Sequence, residues 1–360
     1  MEINPVSKIY SLIRSLGVIK HKKRQEFLCS MIEGVINSRS VIFSQIADKM
    51  SLTIQVESIE RMIQDFFQKV SFDYLQLGIF LLGFVHHKKV VLSIDRTEWD
   101  FGKTQINILC VVVSVGKMAV PLYFEMLDNN SGNSNTDDRI TLFKSLIKIV
   151  GTERIELLVM DREFIGNQWL SWLKKQEITF CVRVPKHHKI LFANLECVKA
   201  EELLLDLNSF RAKNVIVDGV KVNLSISYGN DGELLYLIGT VKARYLEKAY
   251  KRRWSIEVFF QALKKRGFNL EESSLRCLKK YRKLFAVVCI AYTICWATVI
   301  QDRKKNPVRV KKHGYPQYSV FRRGLNLMRK FYKNQIREPI VKAILAAEER
   351  TFKNLLKTVG

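Results

Sequence analysis

Up to residue 85 the apolar positions recur at helical spacing with little alternation, which predicts helices throughout. Within that stretch Phe43–Met50 and Val56–Phe67, separated by a polar turn, have the lengths of a helix-turn-helix. The second of these carries Glu57, Ser58, Glu60, Arg61 and Gln64 with a single cation, so ordinary helical packing fits it equally well.

From Lys89 the pattern changes. Lys89 to Phe101 is rich in Val, Leu, Ile, Thr and Trp and reads as a strand. Gln105–Val115 and Met118–Met126 read as two more strands, joined at Gly116-Lys117 as a hairpin. Ser134-Asn135-Thr136-Asp137 is a helix start, and capping accounts for Asp137 and Asp138 in its first turn. A strand over 155–161, a helix over 163–175 and a strand over 178–184 follow. Three meander strands followed by alternating helix and strand predict an α/β fold: an RNase H-like mixed sheet flanked by helices. Residues from about 186 to 243 read as a β-rich insertion, with a hairpin signal at Asp218-Gly219 and a further turn at Asn230-Asp231-Gly232. Leu284 to Ile300 is seventeen residues without a charge, the lower limit for a membrane span. Both flanks are basic and give no orientation bias, so it is read as a helix buried against the sheet. The expected division is a helical unit over 1–85, a catalytic unit over 86–302 containing the insertion, and a basic helical region over 303–360.

Three acids fall at informative places in this order. Asp95 lies inside the first strand, where an unpaired charge is costly unless it is paired or binds a metal. Asp161 ends the run Ile155–Met160, and catalytic groups collect at the C-terminal ends of strands in α/β sheets. Glu257 lies in YKRRWSIEVFFQALKK, where Tyr250, Arg253, Glu257 and Lys264 are spaced by three, four and seven residues. On a continuous helix those steps place all four along one edge, beside an apolar stripe of Ile256, Phe259, Phe260 and Leu263. The same charges would also suit a solvated amphipathic face. A carboxylate, two cations and a phenol along one edge would suit a metal next to a phosphate.

Charge sharpens this picture. Lys and Arg number 59 against 35 acids in 360 residues, a formal net charge of +24, which points to a polyanionic partner. The cations concentrate at Lys20–Arg24, Lys248–Arg253, Lys264–Arg266, Lys279–Lys283 and from Arg303 to Lys333. The last stretch interleaves Tyr315, Tyr318, Phe321 and Phe331 with cations, which suits nucleic-acid backbone plus base or sugar stacking. The seven cysteines include no CxxC pair and mostly sit in apolar runs, so reduced core thiols in a cytosol are expected, with neither disulfides nor zinc. The six histidines show no metal-ligand spacing. The N-terminus lacks a charged region followed by an apolar run, so no secretory leader is expected.

The spacing Y-x2-R-x3-E-x6-K resembles the YREK signature of bacterial insertion-sequence transposases of the DDE class, the family numbered four. The resemblance spans roughly Lys89 to Ile300, with a weaker match at Tyr318 to Met328. It implies an RNase H-like catalytic core with a β insertion, in which Asp95, Asp161 and Glu257 form the catalytic and metal-binding triad. It further implies that Tyr250, Arg253 and Lys264 engage DNA phosphates. Oxygen-only ligands select Mg²⁺ or Mn²⁺ over zinc, with two ions expected. The implied partner is double-stranded DNA, both the element's terminal repeats and the target, with a homodimer assembled on DNA in the bacterial cytosol and no membrane role. Some such enzymes form a DNA hairpin and stack a flipped base on an aromatic residue of the insertion. Here the insertion has no Trp; Tyr228, Tyr236, Phe192 or Phe210 would have to serve, while Trp99 and Trp254 are read as packing residues. A non-transposing RNase H-like DNA nuclease and a catalytically silent DNA-binding regulator remain as alternative readings of the same residues.

Overall fold

A computed structural model describes residues 17–101, 104–127, 132–203, 209–229, 232–302, 306–307, 309–312, 314, 316–333 and 350. The expected contributions of residues 1–16, of the turn residues Asn230 and Asp231, of Arg303, of Tyr315 and of the tail beyond 333 (Arg350 apart) lie outside the described residues.

A ten-stranded sheet organises the chain, in the order β3-β2-β1-β4-β5-β10-β9-β8-β6-β7. Its first half is β1 (Val90–Phe101), β2 (Thr104–Val115), β3 (Met118–Met126), β4 (Ile155–Met160) and β5 (Phe180–Arg183). The first three strands form an antiparallel meander, and β4 and β5 extend it in parallel from β1. This is the order and direction of an RNase H-like core. Two alternations set its faces. Val90, Leu92 and Ile94 of β1 and Leu158 and Met160 of β4 enter the main apolar core, whereas Val91, Leu157 and Val159 turn to the opposite face.

Helices cover both faces. α1 (Lys22–Ser38), α2 (Phe43–Asp48), α3 (Val56–Lys69) and α4 (Tyr74–Gly83) precede the sheet, and α4 packs on β3. α5 (Thr136–Val150) and α6 (Asn167–Lys175) connect the core strands. Asn135 caps α5 by accepting from the Asp138 amide at 2.8 Å, and Asp138 accepts in return from the Asn135 amide at 3.3 Å, so those acids serve the helix end. The expected helix over 163–175 begins later, at Asn167. Gly166 at φ 123° holds its N-cap position, a backbone conformation that a helix cannot include.

The second half of the sheet comes from the stretch expected as β-rich over about 186–243: β6 (Lys189–Leu191), β7 (Cys197–Lys199), β8 (Ser209–Val217), β9 (Val220–Tyr228) and β10 (Leu234–Gly239). The β8–β9 turn is made by Asp218 and Gly219, both at positive φ (49° and 72°), as a two-residue hairpin of this hand requires. Gly219 also has no room for a side chain, because a Cβ there would lie 2.4 Å from Asn167 Nδ2, which itself donates to the Asp218 carbonyl at 2.7 Å. β10 returns to pair antiparallel with β5, so insertion and core share one hydrogen-bonded sheet.

α7 (Ala243–Tyr250) follows β10 and lays Leu246, Ala249 and Tyr250 on the Val91–Leu157–Val159 face. After it come a 3-10 turn at Lys251–Arg253, α8 (Trp254–Leu263), α9 (Leu278–Asp302) and α10 (Val320–Tyr332). The apolar segment at Leu284–Ile300 is part of α9. By length and composition Leu278–Ile300 could cross a membrane, but 89% of its most apolar window is buried inside the protein, against β3, α1 and α10.

Candidate active site

Sheet register brings the first two acids together. β1 and β4 run parallel with Ser93 opposite Val159 and Ile94 opposite Met160; one step further along, Asp95 stands beside Asp161. Adjacent strands are about 4.8 Å apart. Two carboxylates at such a spacing repel by roughly 4 kcal/mol at an effective dielectric of 20. Both lie on the sheet face that α7 covers, so the third acid must come from the segment following it.

That segment is not the single helix that the spacing predicts. Tyr250 ends α7, Arg253 closes the 3-10 turn, Glu257 lies in the first turn of α8, and Lys264 stands one residue past its end. The tighter winding and the exit of Lys264 from the helix (ψ −123°) replace the predicted common edge. Tyr250, Arg253 and Glu257 nevertheless reach the two strand acids. Arg253 Nη1 donates to Asp95 Oδ2 at 2.9 Å and lies 3.8 Å from Asp161 Oδ2, and Nη2 donates to Glu257 Oε1. The Tyr250 hydroxyl donates to Asp161 Oδ1 at 3.0 Å, with the guanidinium beside its ring. Lys264 is engaged elsewhere: it donates to the Glu98 carbonyl at 3.2 Å, pairs with Glu271 at 3.0 Å and sits over the Trp99 ring.

The surrounding polarity is uneven. Burial pushes the Asp95 carboxyl up to about 7, and Asp161 and Glu163 add to the rise, while Arg253 and the Arg96 amide, donating at 2.8 Å, pull it down. Burial works against charge on Arg253, but Tyr250, Asp161, Asp95 and Glu257 outweigh it and hold the guanidinium more basic than usual. Burial also raises the Tyr250 phenol, which therefore stays a donor to Asp161.

Several contributors escaped the sequence reading. Ser114 joins Ser93 at 3.0 Å and Ser255 at 2.8 Å, and donates to the Arg252 carbonyl at 3.3 Å. This hydroxyl cluster seats the 3-10 turn on β1 and β2. Glu163, two residues after Asp161, receives Arg96 at 3.3 Å, keeps its buried Oε1 without a partner, and is raised by burial. An acid so near a strand-end Asp was visible in the sequence; the serines, distant in sequence, gave no signal. Trp254, read as packing, is 57% exposed and stands beside Arg253. Of the insertion aromatics, Tyr228 is exposed, Tyr236 is buried, and Phe192 and Phe210 pack on the core.

The donor set suits hard divalent cations: the convergent ligands are carboxylate oxygens that already share one positive group. Among the described residues no three His, Cys, Asp or Glu side chains close into a ready metal cage; the carboxylates meet on the guanidinium instead.

The mixed sheet has the strand order of an RNase H-like core, with acids on β1, after β4 and on a following helix. Residues 86–294 match the family model described as Transposase DDE domain, and the chain belongs to that family: it is a DDE transposase, an enzyme of DNA transposition. Among solved structures it is similar to one titled "Cryo-EM structure of piggyBac transposase synaptic complex with hairpin DNA (SNHP)". The identity is 10%, with 99% of this chain and 80% of that chain covered and a TM-score of 0.47. No curated protein matches the sequence.

Proposed function

We propose that the chain moves an insertion sequence of the family-four, YREK-bearing kind, cutting phosphodiesters at the element's terminal repeats and joining the freed 3′ ends to target DNA. Asp95, Asp161 and Glu257 would hold divalent ions, two of Mg²⁺ or Mn²⁺. The observation that carries this reading is the convergence of these three acids, from segments 66 and 96 residues apart, on one guanidinium.

Bound divalent ions supply charge neutralisation and Lewis acidity to an in-line displacement at phosphorus. The chain's own residues do the rest. Arg253 balances the carboxylates and, with its planar fork, is suited to pass to a phosphate that arrives beside them. Tyr250 fixes the orientation of Asp161 by its hydrogen bond. Lys264, tethered by Glu271 and Trp99, would meet the strand further from the cut as a point charge. In this reading residues 1–85 form a helical unit that engages DNA. Residues 86–302 form the catalytic unit with its insertion over about 186–243, and 303–360 form a basic region. Two copies would assemble on DNA in the cytosol.

The test is incubation of the protein with Mg²⁺ and duplex DNA carrying the flanking repeats, followed by mapping of cut 3′ ends and joined products. Cuts at the repeat boundary with strand-transfer products are expected. Nicking without any joined product would replace this reading with that of a nuclease.

A further inference from the structure

Arg39, Arg322 and Arg329 form a cluster of cations with no carboxylate partner among the described residues. Arg39 caps the end of α1 in the left-handed conformation (φ 61°). Arg322 and Arg329 are seven residues apart on α10, hence on one helix face, and α10 packs against α1. Burial and the charges of Arg322 and Arg329 hold Arg39 below its ordinary basicity, which marks the three as neighbours. Arg39 Nε and Arg322 Nη1 are buried without a hydrogen-bond partner, and none of the three side chains takes part in an ion pair among the described residues. Half-buried like charges with orphaned donors are costly, and proteins pair such groups as a rule. Among the described residues the fold supplies no counter-charge.

Of the three, Arg329 also lines a groove of about 610 Å³ along the same helix. Arg309, Lys330 and Lys333 line it, with Tyr318 48% exposed beside them and no acid among the described residues of its walls. Arg323, also in the wall, is neutralised by Asp302. An open basic trough with an aromatic at its rim suits a linear polyanion better than a small enclosed anion. The thirteen residues of α10 make a helix about 20 Å long, the rise of about six base pairs.

We propose that Arg39, Arg322 and Arg329 clasp the phosphate backbone of duplex DNA and that the adjoining groove continues this contact, at a site separate from the carboxylate cluster. This rests on the reading of the chain as one that acts on DNA. The guanidinium forks match phosphate oxygens, and DNA would supply the absent counter-charge.

The test uses the full chain without divalent ions and a fluorescent duplex of arbitrary sequence, with anisotropy followed across salt concentrations. The variant R39Q/R322Q/R329Q keeps the side-chain stems and removes the repulsion. It should melt no lower than wild type, bind DNA roughly 10- to 100-fold more weakly at low salt, and lose about 2 to 3 from the slope of log K against log salt. Should the triple variant fail to fold, R329Q alone decides, with an expected slope loss of about 0.9. A folded variant with unchanged affinity and slope overturns the proposal while leaving the functional reading in place. Absence of DNA binding by wild type overturns both. Stabilisation of wild type by inorganic phosphate that the variant lacks, with DNA binding unaltered, overturns it in favour of a small-anion site.

Discussion

Around Arg253 three carboxylates share one guanidinium; around Arg39 three guanidinium groups share no carboxylate among the described residues. The first set is closed by contacts from a strand, a strand end and a helix. The second is left open at a helix end. Both gather like charges, but among the described residues only one contains its own counter-charge. A site balanced from within can stay folded while awaiting its substrate. A site left unbalanced keeps its electrostatic work for a partner from outside.

The sharpest break of this comparison is removal of an acid from the closed set. Asp95→Ala, Asp161→Ala and Glu257→Ala should each reduce cleavage to background while duplex binding stays near wild type, measured by single-turnover cutting and by anisotropy. An acid whose removal leaves near-normal cutting does not belong to the set. Next comes the guanidinium. Arg253→Ala leaves three acids unbalanced and should cost about 3 kcal/mol of stability in chelator. Mn²⁺ should then raise its melting temperature more than that of wild type. Equal shifts in calorimetry would show that guanidinium and ion do not compete for the same carboxylates. Arg253→Lys, with one point charge for two forked contacts, should recover part of the stability and little of the activity.

Lys264→Ala should have a smaller effect, below about tenfold in single-turnover rate, because its ammonium bonds to Glu98 and Glu271 and not to the triad. A loss as deep as that of Arg253→Ala would place it back on the catalytic edge. Smallest is Glu33→Gln in α1. Burial raises the Glu33 carboxyl, against the lowering effect of Ser51, which donates to it at 2.7 Å. The folded protein therefore holds this proton above the pH at which the unfolded chain releases it, and stability from this group declines as pH rises past about 4.5. The Gln variant should flatten that decline in melts at pH 5 to 8, leaving cutting unchanged.

Much of this fold is written locally. The Asp218-Gly219 turn, the Asn135 cap and the strand that ends at Met160, just before Asp161, each depend on a few adjacent residues, and each is legible in the sequence. The positions of the three acids in their elements were readable for the same reason, since each sits at a recognisable place in its own segment. The 3-10 turn at Lys251–Arg253 was not, because helical spacing alone cannot distinguish one helix from two joined by a tighter turn. The Ser93–Ser114–Ser255 cluster and the Arg39–Arg322–Arg329 cluster were invisible for another reason. Their members are brought together only by tertiary packing; Arg322 and Arg329 fall in a stretch read as basic, but nothing in the sequence joins them to Arg39 or one serine to another.

The pairing of β10 with β5 bears on truncation of this protein. β5 is only four residues long and is flanked by β4 on one side and β10 on the other. Excision of the insertion would bare one whole side of β5, whose Phe180, Cys181 and Val182 are buried. A naked apolar edge of this kind recruits strands from other molecules. β6 to β10 thus act as a solubility cover for the β1–β5 half of the sheet, and a fragment that lacks them should self-associate before it could be assayed.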